Sequence, residues 1–455
     1  MITRNSEDDL IYAEMALKRP LRPLLPNLST LKLVSKEGAS SLSIHLLFAS
    51  PSVTELLLSL PERTPKPDRV LRYISIYFEE IVDRMPNVEV LSIASLVGHP
   101  RWKIWQLQEN LTNLFTGLKN LRSIHLPLGA LEASILNCLS DLPNITVVGM
   151  GDGLGQVDTL YDDDDDDDGG FSDAELAPGS FAALTTLEFV ASFTEAANLL
   201  KVDFARGMES LYVHSQESEK ARAMKDIFAV LSKCRGNLKE LHLDSVHQQH
   251  EAMRQNGSEV DRVTARTLAP LRTLCGLRKL HLSYHRAFEV DDDDFMDLVS
   301  IWPDLEMLRF CSDPVLNEQP KLTAFVLPKL TKATPKLTHL SLFLDTRVGF
   351  SSLDVRNENS HLFGSLREIS FGTSPLRKED TLNFTLYLAK FLPRTCSTYK
   401  LREVYWTVGR SFASRLPSNS PQAAYRTEWE RMSYALEVQI ASLERERTMV
   451  HHLQN

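Results

Sequence analysis

The chain has little of what marks a secreted, membrane-spanning or nucleic-acid-binding protein. Its 455 residues include five cysteines, Cys138, Cys234, Cys275, Cys311 and Cys396. They are odd in number, widely spaced and never arranged as C-x-x-C, which excludes a disulfide framework and a cysteine-based zinc site. Such usage fits a reducing compartment, cytoplasmic or nuclear. No stretch approaches the roughly 20 uninterrupted apolar residues of a membrane span. Asp8, Asp9 and Glu14 break up the first thirty residues, so no signal-peptide core is read there. Positive charge is in deficit, with 50 Lys and Arg against 60 Asp and Glu and a net charge of −10. A basic footprint for nucleic acid is therefore not expected. Seven of the acids form one run, Asp162 to Asp168; without them the balance is about −3, so the average says little about the folded part.

Catalytic signatures are also missing. Neither G-x-S-x-G nor H-E-x-x-H occurs, and no carboxylate pair is singled out by its spacing. Glycines do cluster from Gly149 to Gly155, after a strand-like stretch at Ile145 to Met150. Their G-x-G-x-G-x-G spacing matches neither the dinucleotide fingerprint nor the phosphate loop. The aspartates that follow would repel phosphate. They also lack the alternation of a calcium-binding EF-hand loop. Residues 151–180 read as a solvated acidic insertion.

What the chain does have is one recurring pattern, apolar-x-x-apolar-x-apolar. It appears at Leu28, Leu31 and Leu33, then at Val53, Leu56 and Leu58, and at Val88, Leu91 and Ile93. The cleanest copies are Leu238, Leu241, Leu243 and Leu277, Leu280, Leu282, and a last copy is read at Leu401, Val404 and Trp406. Thirteen copies occur, 24 to 39 residues apart. The closing L-x-L is a short period-2 strand with one apolar face. Proline often precedes it, as at Pro26, Pro86, Pro143, Pro303 and Pro335, and forces an extended approach. One such unit cannot bury its apolar face, but stacked copies can.

Helical patterns lie between the strands. Val70, Ile74, Phe78, Ile81 and Met85 share one helix face, as do Leu107, Leu111, Leu114 and Leu118, and Ala221, Met224, Phe228 and Leu231. Asp291 to Asp294 sit where a helix toward Trp302 should begin, a favourable place for carboxylates. The expected fold class is an α/β leucine-rich-repeat solenoid, or horseshoe, with parallel strands on the concave face and helices outside. The expected organisation is a lead-in at 1–25, a first solenoid part at 26–150, the insertion at 151–180, a second solenoid part at 181–410, and a linker with a C-terminal helix at 411–455. That helix carries Trp429, Leu436, Leu443 and Val450 seven apart, with Met432 and Ile440 partly filling the stripe; it is expected to cap the stack, with a coiled-coil seam as the alternative.

Residues between the strand leucines should line the concave face. They include Tyr212, His242, His281 and Arg309, with His214, Asp244, Lys279 and His339 in neighbouring columns. Adjacent strands lie about 4.8 Å apart, so these side chains should form one patch. His242, Asp244 and His281 are the right types for a metal or acid–base cluster. Read as polar groups on an open surface, they lack the dry pocket that such chemistry needs. The expectation is a protein-binding face without catalytic residues, cofactor or metal, on a monomer that contacts neither nucleic acid nor membrane. Tyr and Arg are enriched at binding hot spots.

The irregular repeats and the Pro-[Asn/Asp/Lys]-[Leu/Val]-x-x-L-x-L openings resemble the repeat region of fungal F-box/leucine-rich-repeat proteins, over about residues 26 to 410. The resemblance implies that the repeats select a substrate for a cullin ubiquitin ligase. In that family an N-terminal F-box of about 45 residues joins the Skp adaptor. Here 25 residues precede the first repeat, without a Leu-Pro-x-Glu opening, so no F-box is recognised. Ligase components are expected as partners only where an F-box is supplied.

Overall fold

The computed structural model describes residues 23–33, 46–60, 67–95, 107–150, 174–245, 262–347, 363–398 and part of 428–445, apart from a few positions within these ranges. Twelve of the thirteen copies of the repeat become parallel strands. The described strands are β1 (Thr30–Leu33), β2 (Glu55–Leu60), β3 (Val90–Ser95), β4 (Ser123–Leu126), β5 (Val147–Met150), β6 (Thr186–Val190), β7 (Ser210–Ser215), β8 (Glu240–Ser245), β9 (Lys279–Ser283), β10 (Met307–Phe310), β11 (His339–Leu342), β12 (Glu368–Ser370) and β13 (Ser397–Thr398). The described helices are α1 (Pro67–Arg84), α2 (Gln108–Gly117), α3 (Ala133–Ser140), α4 (Phe193–Leu200), α5 (Ala221–Cys234), α6 (Ala265–Leu268), α7 (Asp292–Val299), α8 (Val326–Ala333) and α9 (Thr381–Leu388). The fold is an α/β leucine-rich-repeat solenoid.

The chain divides into two compact units, the first holding Met1–Val190 and Lys201–Met208, the second Ala191–Leu200 and most of the chain from Glu209 onward. In the first unit β1 to β6 pair in chain order, every pair parallel. The helices pack against one another, α1 on α2 and α2 on α3. In the second unit β7 to β13 pair in the same way. There α4 packs on α5 and α7 on α8.

The register keeps like with like. Leu56 pairs with Leu91, Leu91 with Ile124, Leu241 with Leu280 and Leu308 with Leu340. These residues and the turn residues before them, such as Val88, Leu121, Leu238, Leu277 and Leu305, are buried. Each contributes about 1.5–3 kcal/mol by leaving water. The turns that open β2 to β6 and β8 to β12 are each locked to the previous repeat by one carbonyl that accepts two successive N–H groups. Glu89 O accepts from Arg122 and Ser123 at 2.8 and 3.0 Å, and Lys239 O accepts from Arg278 and Lys279 at 2.7 and 3.0 Å. The asparagine after the proline adds a side-chain bond, as Asn87 Nδ2 donates to Pro51 O at 2.8 Å.

The long helical patterns at α1, α2 and α5 form where the sequence places them. At α7 the Asp291 side chain accepts from Asp294 N at 2.9 Å and caps the helix. Such a cap stabilises a helix by roughly 1 kcal/mol. The thirteenth strand forms at Ser397–Thr398. The copy read at Leu401, Val404 and Trp406 lies outside the described residues, as do residues 151–173 with the aspartate run. The described residues of the C-terminal segment from 428 are helical. Trp429, Met432, Leu436 and Ile440 are buried. Among the described residues no helix is long and apolar enough to cross a membrane.

Candidate functional site

The strand face of the second unit holds all eight residues singled out in the sequence. Alternation along each strand puts Leu211 and Val213 into the core and Tyr212 and His214 on the opposite face. The register then builds three columns. Tyr212 pairs with His242, His242 with His281, His281 with Arg309, Arg309 with Ser341, and Ser341 with Ser370. Beside them run Ser210, Glu240, Lys279, Met307, His339 and Glu368. On the other flank His214 pairs with Asp244, and Asp244 with Ser283.

Tyr212, Lys279, His281, Arg309 and His339 are half-buried and reach solvent along this face. The Tyr212 hydroxyl donates to Glu240 Oε2 at 2.5 Å, and Lys279 Nζ lies 2.8 Å from Glu240 Oε1. Farther along, His339 Nε2 lies 3.7 Å from Glu368 Oε2, while His339 Nδ1 meets Thr338 Oγ1 at 2.8 Å. Half-exposed pairs of this kind contribute at most about 1 kcal/mol each. A shallow depression lies at this end, lined by Arg309, His339, Ser341, Glu368 and Ser370. The Ser341 hydroxyl is buried there without a hydrogen-bond partner.

The reading of the whole patch as an open surface is corrected at three positions. His214, His242 and Asp244 are 1%, 9% and 7% exposed. The cause is the ladder itself, whose spacing brings successive rings into contact. The His242 ring sits 3.7 Å, centroid to centroid, from His281, 5.2 Å from His214 and 5.8 Å from Tyr212. Burial, followed by the positive potential of His281 and His214, holds His242 well below the usual imidazole range. Burial and then Arg309 do the same to His281. Burial opposes ionisation of Asp244, but the neighbouring His214, Ser283 and His242 outweigh it and lower its pKa. Near neutral pH the cluster holds two uncharged imidazoles, His242 and His281, beside a carboxylate.

One group reading the sequence missed lies beneath this face. Glu219 is buried and accepts from Phe193 N and Ser215 Oγ, both at 2.6 Å. Its backbone carbonyl accepts from the buried Tyr284 hydroxyl at 2.9 Å. No motif announces it, because it falls in the turn between β7 and α5, where glutamate ordinarily faces water.

No family model matches the chain, and neither does any curated protein sequence. Among solved structures the chain is similar to the crystal structure of the Rad7 and Elc1 complex in yeast. The identity is 15%, the match covers 83% of this chain and 90% of that one, and the TM-score is 0.38.

Proposed function

We propose that this protein is a non-catalytic binding scaffold whose strand face between β7 and β12 holds a protein partner. The observation that carries the reading is the register-aligned column Tyr212, His242, His281, Arg309, Ser341 and Ser370 with its charged flank Glu240, Lys279, His339 and Glu368. Stacked repeats offer such faces as extended binding surfaces. This one offers half-exposed Tyr212 and Arg309, residue types that interfaces favour, with charged residues at its flank as a polar rim. Its depression is shallow, as suits contact with another protein surface.

The partner would be a substrate presented to a cullin ubiquitin ligase. That finer reading rests on the resemblance of the repeat openings to F-box/leucine-rich-repeat proteins. Affinity purification of the full chain from its native cells, followed by mass spectrometry, tests it. Co-recovery of a cullin and its Skp adaptor is the expected result. Their absence under conditions that retain other partners contradicts the ligase reading and favours a free-standing interaction or inhibitor protein. Recovery of no protein at all contradicts the scaffold reading.

A further inference from the structure

The three buried residues of the face have a chemistry of their own. His214 and Asp244 occupy paired positions on β7 and β8, and His242 lies diagonally across from His214 on the same face. His214 Nδ1 is 4.0 Å from Asp244 Oδ2. One ligating atom from each of His214, His242 and Asp244 can be chosen so that all three lie within 4.8 Å of one another. The His242 Nε2 atom is buried and has no hydrogen-bond partner. A buried polar atom left unpaired is costly, so a fold that keeps one usually has a use for it.

Two imidazole nitrogens and one carboxylate oxygen form the donor set of zinc-class ions. Bonds of about 2.0–2.2 Å imply ligand separations near 3.3 Å around a tetrahedral ion. The present separations, 4.0 Å between His214 Nδ1 and Asp244 Oδ2 and up to 4.8 Å within the trio, would have to shorten on binding. Around the trio stands an orienting shell, as metal sites require. Ser283 stands beside Asp244 in the register, and the His281 ring packs on His242.

We propose that His214, His242 and Asp244 bind one divalent transition-metal ion of the zinc class, clipping β7 to β8. Water completes the coordination on the side of the half-buried His281. This inference stands apart from the identity of any protein partner.

The test uses untagged full-length protein, stripped with chelator and titrated with zinc chloride by calorimetry. A parallel titration with cobalt chloride reads the visible ligand-field bands. One equivalent should bind the wild type. His242→Gln and Asp244→Asn should each weaken it by at least about tenfold, since even the loss of an outer-shell contact costs that much. His339→Gln, farther along the face, should leave it unchanged. Ions held at His247 and His250 or at His451 and His452 would survive all three substitutions, and equal binding by wild type and variants overturns the proposal. So does a wild type that binds no equivalent. Should the variants fail to fold, X-ray absorption of the zinc-loaded wild type decides. A shell of two imidazoles with oxygen supports the site, and any other shell overturns it.

Discussion

The indole of Trp429 donates from Nε1 to the carbonyl of Ser374 at 2.8 Å, and its ring stacks on Phe371 at a centroid distance of 5.1 Å. Phe384 meets the same indole edge-on at 5.7 Å. The C-terminal helical segment thus covers apolar surface beside β12 and α9, as a capping element of a repeat stack should. Trp429→Ala removes a large buried ring and leaves the Ser374 carbonyl unpaired. The expected loss is about 3–5 kcal/mol in the stability of the second unit, read by urea unfolding. A loss below about 1 kcal/mol would show that the segment is not part of the stack.

Gly149 has a packing role that differs from a phosphate loop. It pairs with His125 across β4 and β5, and a Cβ at this position would stand 2.7 Å from His125 Cδ2. The small residue lets the imidazole lie across the neighbouring strand, where Met150 N donates to Glu188 Oε2 at 3.1 Å. Gly149→Ala should cost about 1–3 kcal/mol through displacement of the ring. Chemical unfolding of the variant checks this, and a neutral result contradicts the packing role.

Glu219 should make stability depend on pH. Burial raises its pKa above the ordinary 4.5, Glu217 and Glu195 add to the rise, and the bonds from Ser215 and Phe193 only partly offset it. A carboxyl with a raised folded pKa binds its proton more tightly when folded. Its contribution is therefore present in full below the unfolded value and is lost as pH rises through the folded value. Glu219→Gln keeps an acceptor and removes this ionisation. Unfolding free energies measured from about pH 4 to about pH 8 should show wild type losing ground to the variant as pH rises. A constant difference would contradict the raised value.

The strands were readable in the sequence because period-2 leucines carry the core, and twelve of them appear at the copies read there. The register was readable too, since equivalent positions of successive repeats pair. The helices α1, α2 and α5 are long enough to show a face. The helices α3, α4, α8 and α9 span two turns and offer few periodic positions; α7, of the same length, was readable because its aspartates mark the start. In α9 the buried Phe384, Tyr387 and Leu388 share a face, but Leu382 on the other side is exposed, so the apolar pattern does not single that face out. Strand β13 is Ser-Thr, which carries no apolar signal. The burial of His214, His242 and Asp244 was not readable, because residues in the outward phase of a strand read as exposed and nothing local reports how closely neighbouring rings pack.

The central claim is that the strand face of the second unit binds a protein. The most direct measurement compares the full-length wild type with a Tyr212→Ala, Arg309→Ala, His339→Ala triple variant in quantitative affinity purification, with circular dichroism verifying the fold. These three side chains are half-buried and lie outside the His214, His242 and Asp244 cluster. Truncating hot-spot residues costs about 2 kcal/mol or more each, so at least one partner of the wild type should fall by more than about tenfold. An unchanged set of partners on a folded variant would contradict the account.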